Sequence, residues 1–228
     1  MEGESEYLLS TTGSLTAALG QLAAIVAKRM GPERHQVLED FVDRLRQGRV
    51  GSGALAVGDV FPPFLLADAD ARLVALDDLL ADGPLVLTFY RGGWCPFCSL
   101  TLTALQTVAD RLAASGAKVV AISPDVGDAP SETRRNRHLS FPVLSDADNG
   151  LALACGLMIR LPDPVCALYQ SYGVDLVRLH GNPAWTLPVP GSFVIDREGI
   201  VRYAHIDPDF RRRLDIEQVV RVVEGLRR

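Results

Sequence analysis

Nine residues, Tyr90-Arg91-Gly92-Gly93-Trp94-Cys95-Pro96-Phe97-Cys98, constrain this chain more than any other stretch. They follow Pro84-Leu85-Val86-Leu87-Thr88-Phe89, an apolar run of strand length, and lead into a segment where Leu100, Leu102, Leu105, Val108 and Leu112 recur at helical spacing. Two cysteines therefore sit where a buried strand turns into a helix. Gly92 and Gly93 allow a sharp turn, and Pro96 suits the first helical position, where its missing N–H would have had no partner. Cys95 is thereby placed near the N-cap and Cys98 one turn in, beside unpaired backbone N–H groups and the positive end of the helix dipole. Both features favour the thiolate, which is the nucleophilic form. One helical turn also brings the two sulfurs near enough for a disulfide.

A C-x-x-C pair also occurs in zinc sites and as inert buried thiols. A structural zinc site takes four ligands, and the chain has no second C-x-x-C and no H-x-x-x-H, while His35, His138, His180 and His205 are scattered. The expectation is redox chemistry carried by the thiols alone, with no metal and no further cofactor. The chain has 228 residues, 48% of them hydrophobic, which is enough for one sizeable core and an accessory segment. A net charge of −5 and a pI near 5.4 argue against a nucleic-acid partner or an anionic membrane surface. The cluster Arg211-Arg212-Arg213, ahead of a helix ending in Arg227-Arg228, reads as a solvated face.

The acidic start Met1-Glu2-Gly3-Glu4-Ser5-Glu6 leads into no long apolar core, and no stretch approaches about 18 uninterrupted apolar residues. Neither a secretory signal nor a membrane span is expected, and a cytoplasmic location follows. There thiols are held reduced, and a C-x-x-C is more often catalytic than structural. Cys155 and Cys166 read as packing residues, since nothing near them resembles an activated thiol.

Taken in order, the chain opens with two amphipathic helices. Leu15, Leu19, Leu22, Ile25 and Val26 share one face of the first, and Val37, Leu38, Phe41, Val42 and Leu45 one stripe of the second, which starts at Pro32 and ends at Gly48. This N-terminal helical hairpin, residues 1–50, needs cover from the main domain or from a second copy of the chain, as a homodimer. A Gly/Ser-rich linker at Arg49 to Ala54 separates it from residues 51–228. A short hairpin is expected around Asp68-Ala69-Asp70. Next come the strand Leu85 to Tyr90, the cysteine-bearing helix and the strand Lys118 to Ile122, a βαβ unit with neighbouring parallel strands. Ser131 to Leu139 reads as a helix, Phe141 to Leu144 as an edge strand or turn, and Ala147 to Gly156 as a further helix. Leu157 to Pro190, with five prolines, reads as irregular. A hairpin over Ser192 to Tyr203 and a helix over Ile216 to Leu226 close the chain.

This order resembles the thioredoxin fold, an α/β architecture with a central mixed sheet flanked by helices. Four segments sharpen the likeness: Phe89 to Cys98, Val120-Ala121-Ile122-Ser123-Pro124-Asp125, Phe141-Pro142-Val143-Leu144-Ser145-Asp146, and Phe193-Val194-Ile195-Asp196-Arg197-Glu198-Gly199. Together they resemble the peroxiredoxin-like branch, the alkyl hydroperoxide reductase and thiol-specific antioxidant family in its C-x-x-C-bearing subgroup, over about Leu55 to Arg228. The family pattern has a Pro, three residues, a Thr or Ser, two residues, then the peroxide-attacking Cys. Aligned on Cys98, this chain has Cys95 at the hydroxyl position and Arg91 at the Pro position. Before the last hairpin, where the family usually has an Arg, it has Pro190, which resembles the cis-proline facing the cysteines of thioredoxins.

The resemblance implies an oxidoreductase, a thiol peroxidase acting on hydrogen peroxide or organic hydroperoxides. Cys98 attacks and Cys95 resolves the sulfenic acid; Arg91, a departure from the family pattern, reads either as lowering the thiolate pKa or as a plain surface arginine. The alternative is a thiol-disulfide oxidoreductase in which Cys95, at the N-cap, attacks a substrate disulfide in a groove shaped by Trp94, Tyr90 and Pro190. The reductant is a thiol donor of the thioredoxin, glutaredoxin or low-molecular-weight kind. A non-enzymatic redox sensor is the third reading.

Overall fold

The computed structural model describes residues 2–226. Arg227 and Arg228, expected to end the last helix, lie outside them. Three helices come first: α1 (Glu2–Thr12), α2 (Leu15–Met30) and α3 (Pro32–Gln47). The Ser14 side chain caps α2 by accepting from the Ala17 N–H, and Gly31 at φ 77° with Pro32 at the first position makes the joint to α3. The remaining elements are β1 (Leu65–Asp68), β2 (Leu73–Ala75), α4 (Leu76–Leu80), β3 (Leu85–Phe89), α5 (Pro96–Ala114), β4 (Lys118–Ser123), α6 (Ala129–Asn136) and β5 (Val143–Ser145). They continue as α7 (Gly150–Ala154), β6 (Met158–Arg160), α8 (Asp163–Ser171), α9 (Leu176–His180), β7 (Thr186–Pro188), β8 (Gly191–Ile195), β9 (Val201–Ile206) and α10 (Ile216–Gly225).

Seven strands form one sheet in the order β2-β1-β5-β4-β3-β8-β9, and β6 and β7 form a separate antiparallel pair. β4 runs parallel to both β3 and β5, as a βαβ unit requires, and the other pairings are antiparallel. β3 lies at the centre with all five residues buried. Its alternation divides the core: Leu85, Leu87 and Phe89 pack on one face with Phe61, Leu79 and Phe193, while Val86 and Tyr90 pack on the other with α5 and α10. The α/β fold expected from the sequence is the fold observed.

The N-terminal helices do not project. α1 and α2 pack on α5, and α3 packs on α8, so that Leu8, Leu15, Leu19, Leu22, Phe41 and Val42 join the cluster that holds both cysteines. The apolar stripe is therefore covered by the chain's own main domain. Ion pairs tie α3 to the segment after β9: Arg46 to Asp209 at 3.0 Å, and Arg211 to Glu39.

Three expectations need correction. Phe141 to Leu144 contributes an interior strand, because β1 returns antiparallel and covers it, with Ala67 opposite Ser145. Leu157 to Pro190 is ordered as β6, α8, α9 and β7. Its prolines mark element boundaries, Pro162 at the N-cap of α8 and Pro164 in its first turn. The acidic start forms α1, which Leu8 and Leu9 anchor to the common core. Leu22 is 5% exposed against the common cluster. Leu22→Ala is expected to lower stability by about 2–5 kcal/mol, seen as one shifted transition in urea; an early transition confined to the N-terminal helices would contradict a shared core.

Candidate active site

β3 continues past Phe89 through a hydrogen bond from the Tyr90 N–H to the Ile122 carbonyl at 2.9 Å, and the chain then turns through two glycines. Neither position has room for a side chain. A Cβ on Gly92, at φ 141°, would lie 2.3 Å from Trp94 Nε1 and 2.9 Å from Asp125 Oδ1, and one on Gly93 would lie 2.3 Å from Thr133 Oγ1. The turn delivers Cys95 to the N-cap of α5, in extended backbone, where its carbonyl accepts from the Ser99 N–H at 3.0 Å. Cys98 follows one turn later, as its spacing predicts.

Both sulfurs belong to residues only 1% exposed. Cys98 Sγ accepts from the Arg91 backbone N–H at 3.4 Å and from Arg213 Nη2 at 3.5 Å. The Cys98 thiol in turn donates to the Cys95 sulfur. Burial works against a charge on Cys95, but that hydrogen bond and the guanidiniums of Arg91 and Arg213 outweigh it and bring the thiol down to about 6. Cys98 moves the opposite way, through burial and through its role as donor to the Cys95 anion. The pair thus holds one proton and one negative charge between two sulfurs.

Arg91 is 3% exposed and clasped by aromatic rings, with its guanidinium 4.3 Å from the Phe210 centroid, 5.0 Å from Trp94 and 5.4 Å from Tyr169, and it donates to the Tyr169 hydroxyl. No carboxylate pairs with Arg91 or Arg213 among the described residues, so the sulfur charge is their counter-ion. Arg213, expected on a solvated face, is 8% exposed and reaches Cys98 from 115 residues away. Only Arg212 of its trio is well exposed. Sequence spacing carries no signal of such a long-range contact.

Cys95 lines a largely apolar cavity of about 310 Å³, walled by Val26, Met30 and Leu38 from α2 and α3, by Leu168 and Tyr169 from α8, and by Trp94 and Phe210. Cys98 does not border it. Of the other expected site residues, Trp94 and Arg91 share this cavity and Tyr90 does not. Tyr90 is buried toward Asp125, where burial and then the nearby carboxylate push its phenol well above the usual range. Pro190 is buried at the junction of β7 and β8, does not line the cavity, and follows a trans peptide. The chain passes there from one strand directly into the next, so no tight reversal calls for a cis bond. Cys155 is pushed up to about 12 by burial, and Cys166 is also raised by burial, as suits packing residues.

On the other side of Trp94 lies a polar cavity of about 250 Å³ bordered by Gly93, Asp125, Glu132, Thr133 and Arg137. Asp125 Oδ2 accepts from the Gly93 N–H at 3.0 Å, while its Oδ1 makes no hydrogen bond and lies 3.8 Å from His180 Nε2. Burial raises this carboxyl to about 7 and lowers His180 to about 4, leaving a neutral imidazole beside it.

Comparison with known proteins gives the family of the chain. The AhpC/TSA family model matches residues 57–204. The chain belongs to the AhpC/TSA family. It is similar to peroxiredoxin Q, chloroplastic, of Oryza sativa subsp. japonica, 26% identical over 180 residues, covering 79% of this chain and 72% of that protein. It is also similar to peroxiredoxin Bcp of Escherichia coli (strain K12), 34% identical over 95 residues, or 42% of this chain and 60% of that one. In structure it resembles the peroxidoxin BcpB from Mycobacterium tuberculosis, with a TM-score of 0.60 at 23% identity over 75% of this chain and 98% of that chain. Xanthomonas campestris peroxiredoxin Q gives 0.57 at 17% identity over 77% and 99%. The expected class, a peroxiredoxin-like thiol-dependent peroxidase, stands. α1 to α3, and with them the Val26, Arg29, Met30 and Leu38 part of the cavity wall, precede the matched segment. No helix among the described residues is long and apolar enough to cross a membrane.

Two titrations test the electrostatics. Alkylation of Cys95 by iodoacetamide should rise with a midpoint near pH 6 and shift upward in Arg213→Gln; an unshifted midpoint, or one near the free-thiol value, contradicts the assigned charge. For Asp125, the folded chain retains a proton that the unfolded chain has lost, so its contribution to stability declines as pH rises from about 4 to about 7. Asp125→Asn should therefore gain about 1–3 kcal/mol over the wild type at pH 8 and little at pH 4, read by urea denaturation.

Proposed function

We propose that this family member reduces peroxides with Cys95 as the attacking sulfur and Cys98 as the resolving one, the reverse of the order implied by alignment to the peroxiredoxin pattern. The observation that carries this is access: Cys95 lines the cavity and Cys98 does not. The Cys95 thiolate attacks the terminal peroxide oxygen and the O–O bond breaks. Cys95 becomes a sulfenic acid, and the departing alkoxide or hydroxide takes a proton from solvent. Cys98 then attacks the Cys95 sulfur, the S–O bond breaks, and hydroxide leaves with the Cys98 proton as water. An external thiol donor reduces the resulting disulfide.

Arg91 and Arg213 hold the anion in place through this sequence, and the two N–H groups on Cys98 stabilise its sulfur when it leaves as a thiolate. Those same two donors are the specific observation favouring the other order, with Cys98 attacking first. A thiol-disulfide oxidoreductase would use Cys95 in the same role, with a disulfide in place of the peroxide. The setting is a compartment where thiols are kept reduced, and the cytoplasm is the reading that the sequence supports.

Stopped-flow mixing with hydrogen peroxide and with cumene hydroperoxide separates the orders. Cys98→Ser should consume one equivalent of peroxide and accumulate a sulfenic acid, while Cys95→Ser loses the fast phase by at least about a hundredfold. Fast consumption by Cys95→Ser alone would reverse the assignment, and inertness of the wild type would remove the peroxidase reading.

A further inference from the structure

We propose that Tyr169 is a catalytic residue of the peroxide step, its hydroxyl giving a proton to the oxygen that leaves when the O–O bond breaks. The inference rests on the reading above that Cys95 is the attacking sulfur. Attack on a hydroperoxide releases an alkoxide or hydroxide, both strong bases, and Cys95 lines a cavity whose surface is largely apolar. An oxyanion without a hydrogen-bond donor in such surroundings is costly, so a donor placed at the leaving oxygen lowers the barrier.

Five side chains lining the cavity with Cys95 carry an N–H or O–H: Arg29, Arg91, Trp94, Tyr169 and Tyr172. A guanidinium stays protonated in proteins, so Arg29 and Arg91 supply charge rather than a proton. Trp94 turns its Nε1 toward Gly92 and Asp125, since a Cβ on Gly92 would meet both that nitrogen and Asp125 Oδ1. Tyr172 is 46% exposed and engaged with Arg34, which donates to its hydroxyl at 3.5 Å and lies over its ring. Tyr169 is the phenol left in the interior. It is 7% exposed, and α8 holds its ring 5.0 Å from that of Trp94.

The hydrogen bonding of Tyr169 is half complete. Its oxygen accepts from Arg91 Nη2, and its own proton has no acceptor among the described residues. A phenol is both acceptor and donor, and here the acceptor side is filled while the donor side is open to an incoming molecule. Arg91 is also one of the two cations whose charge favours the Cys95 thiolate. One guanidinium therefore orients the hydroxyl and holds the attacking anion, on walls of the same cavity.

In the step itself, the Cys95 thiolate bonds to the terminal peroxide oxygen, and the electron pair of the O–O bond passes to the second oxygen. That oxygen takes the Tyr169 proton and leaves as an alcohol or as water, with Cys95 now a sulfenic acid. Tyr169 is left as a phenolate paired with the Arg91 guanidinium. A proton from solvent restores the phenol, so the one proton that the cycle draws from solvent passes through Tyr169.

The test compares Cys98→Ser with Cys98→Ser/Tyr169→Phe, full-length chains in which oxidation stops at the Cys95 sulfenic acid. Phenylalanine keeps the ring against Trp94 and removes only the hydroxyl. Stopped-flow rates are taken with cumene hydroperoxide and with peracetic acid, whose acetate leaving group is a weak base and needs no proton. Loss of the hydroxyl should slow cumene hydroperoxide by about a hundredfold and peracetic acid by no more than about threefold. A changed thiolate or a disturbed cavity would slow both alike, and alkylation of Cys95 by iodoacetamide with them. A loss on cumene hydroperoxide at least about tenfold greater than that on peracetic acid supports the assignment. Any smaller ratio overturns it and leaves the peroxidase reading intact. If Cys98→Ser itself consumes no cumene hydroperoxide, the order of attack falls and this proposal falls with it.

Discussion

Two guanidiniums are held out of water beside two sulfurs, and this charge arrangement is the constraint from which the rest of the site follows. A buried cation without a partner is costly, and among the described residues neither Arg91 nor Arg213 has a carboxylate. A thiolate at the mouth of α5 meets that need. The hydrogen bond from Cys98 and, after it, this pairing bring Cys95 down although burial alone would raise it. Removing either side of the pairing leaves the other stranded.

The scaffold around this charge is rigid for reasons that can be traced to single residues. β3 is buried on both faces and fixes where the turn begins. Trp94, Asp125 and Thr133 leave no room for a side chain at Gly92 or Gly93, so the turn requires both glycines. The Asp125 carboxylate holds the Gly93 N–H from the far side of Trp94, which ties the end of β4 to the cysteine-bearing turn. α1 to α3 then complete the core over α5, and α2 and α3 supply part of the cavity wall from a part of the chain that precedes the family match.

How much of this was legible in the sequence depended on range. The turn, the N-cap position of Cys95, Pro96 at the first helical position and the parallel βαβ pairing are local, and the order of residues states them directly. Arg91 was visible as a candidate, but its ring cage was not, because Tyr169 and Phe210 arrive from distant segments. Arg213 looked like one of three surface arginines, and only the path of the chain after β9 sorts the buried one from its neighbours. Asp125 stood within a recognised segment, yet its unbonded oxygen and the neutral His180 beside it depend on tertiary burial. Pro190 was misjudged because a proline ahead of a strand reads the same whether the chain bends or runs straight.

In the proposed dithiol–disulfide cycle the paired arginines also bear on the redox couple. Once the sulfurs join, their negative charge is gone, and two desolvated cations face each other's field with nothing between them. Electrostatics therefore penalises the oxidised state relative to the reduced one, which sets the reduction potential on the oxidising side of what an exposed pair of the same spacing would show. A centre poised this way accepts electrons readily from weak donors, and the energy for resetting it is stored in the placement of Arg91 and Arg213.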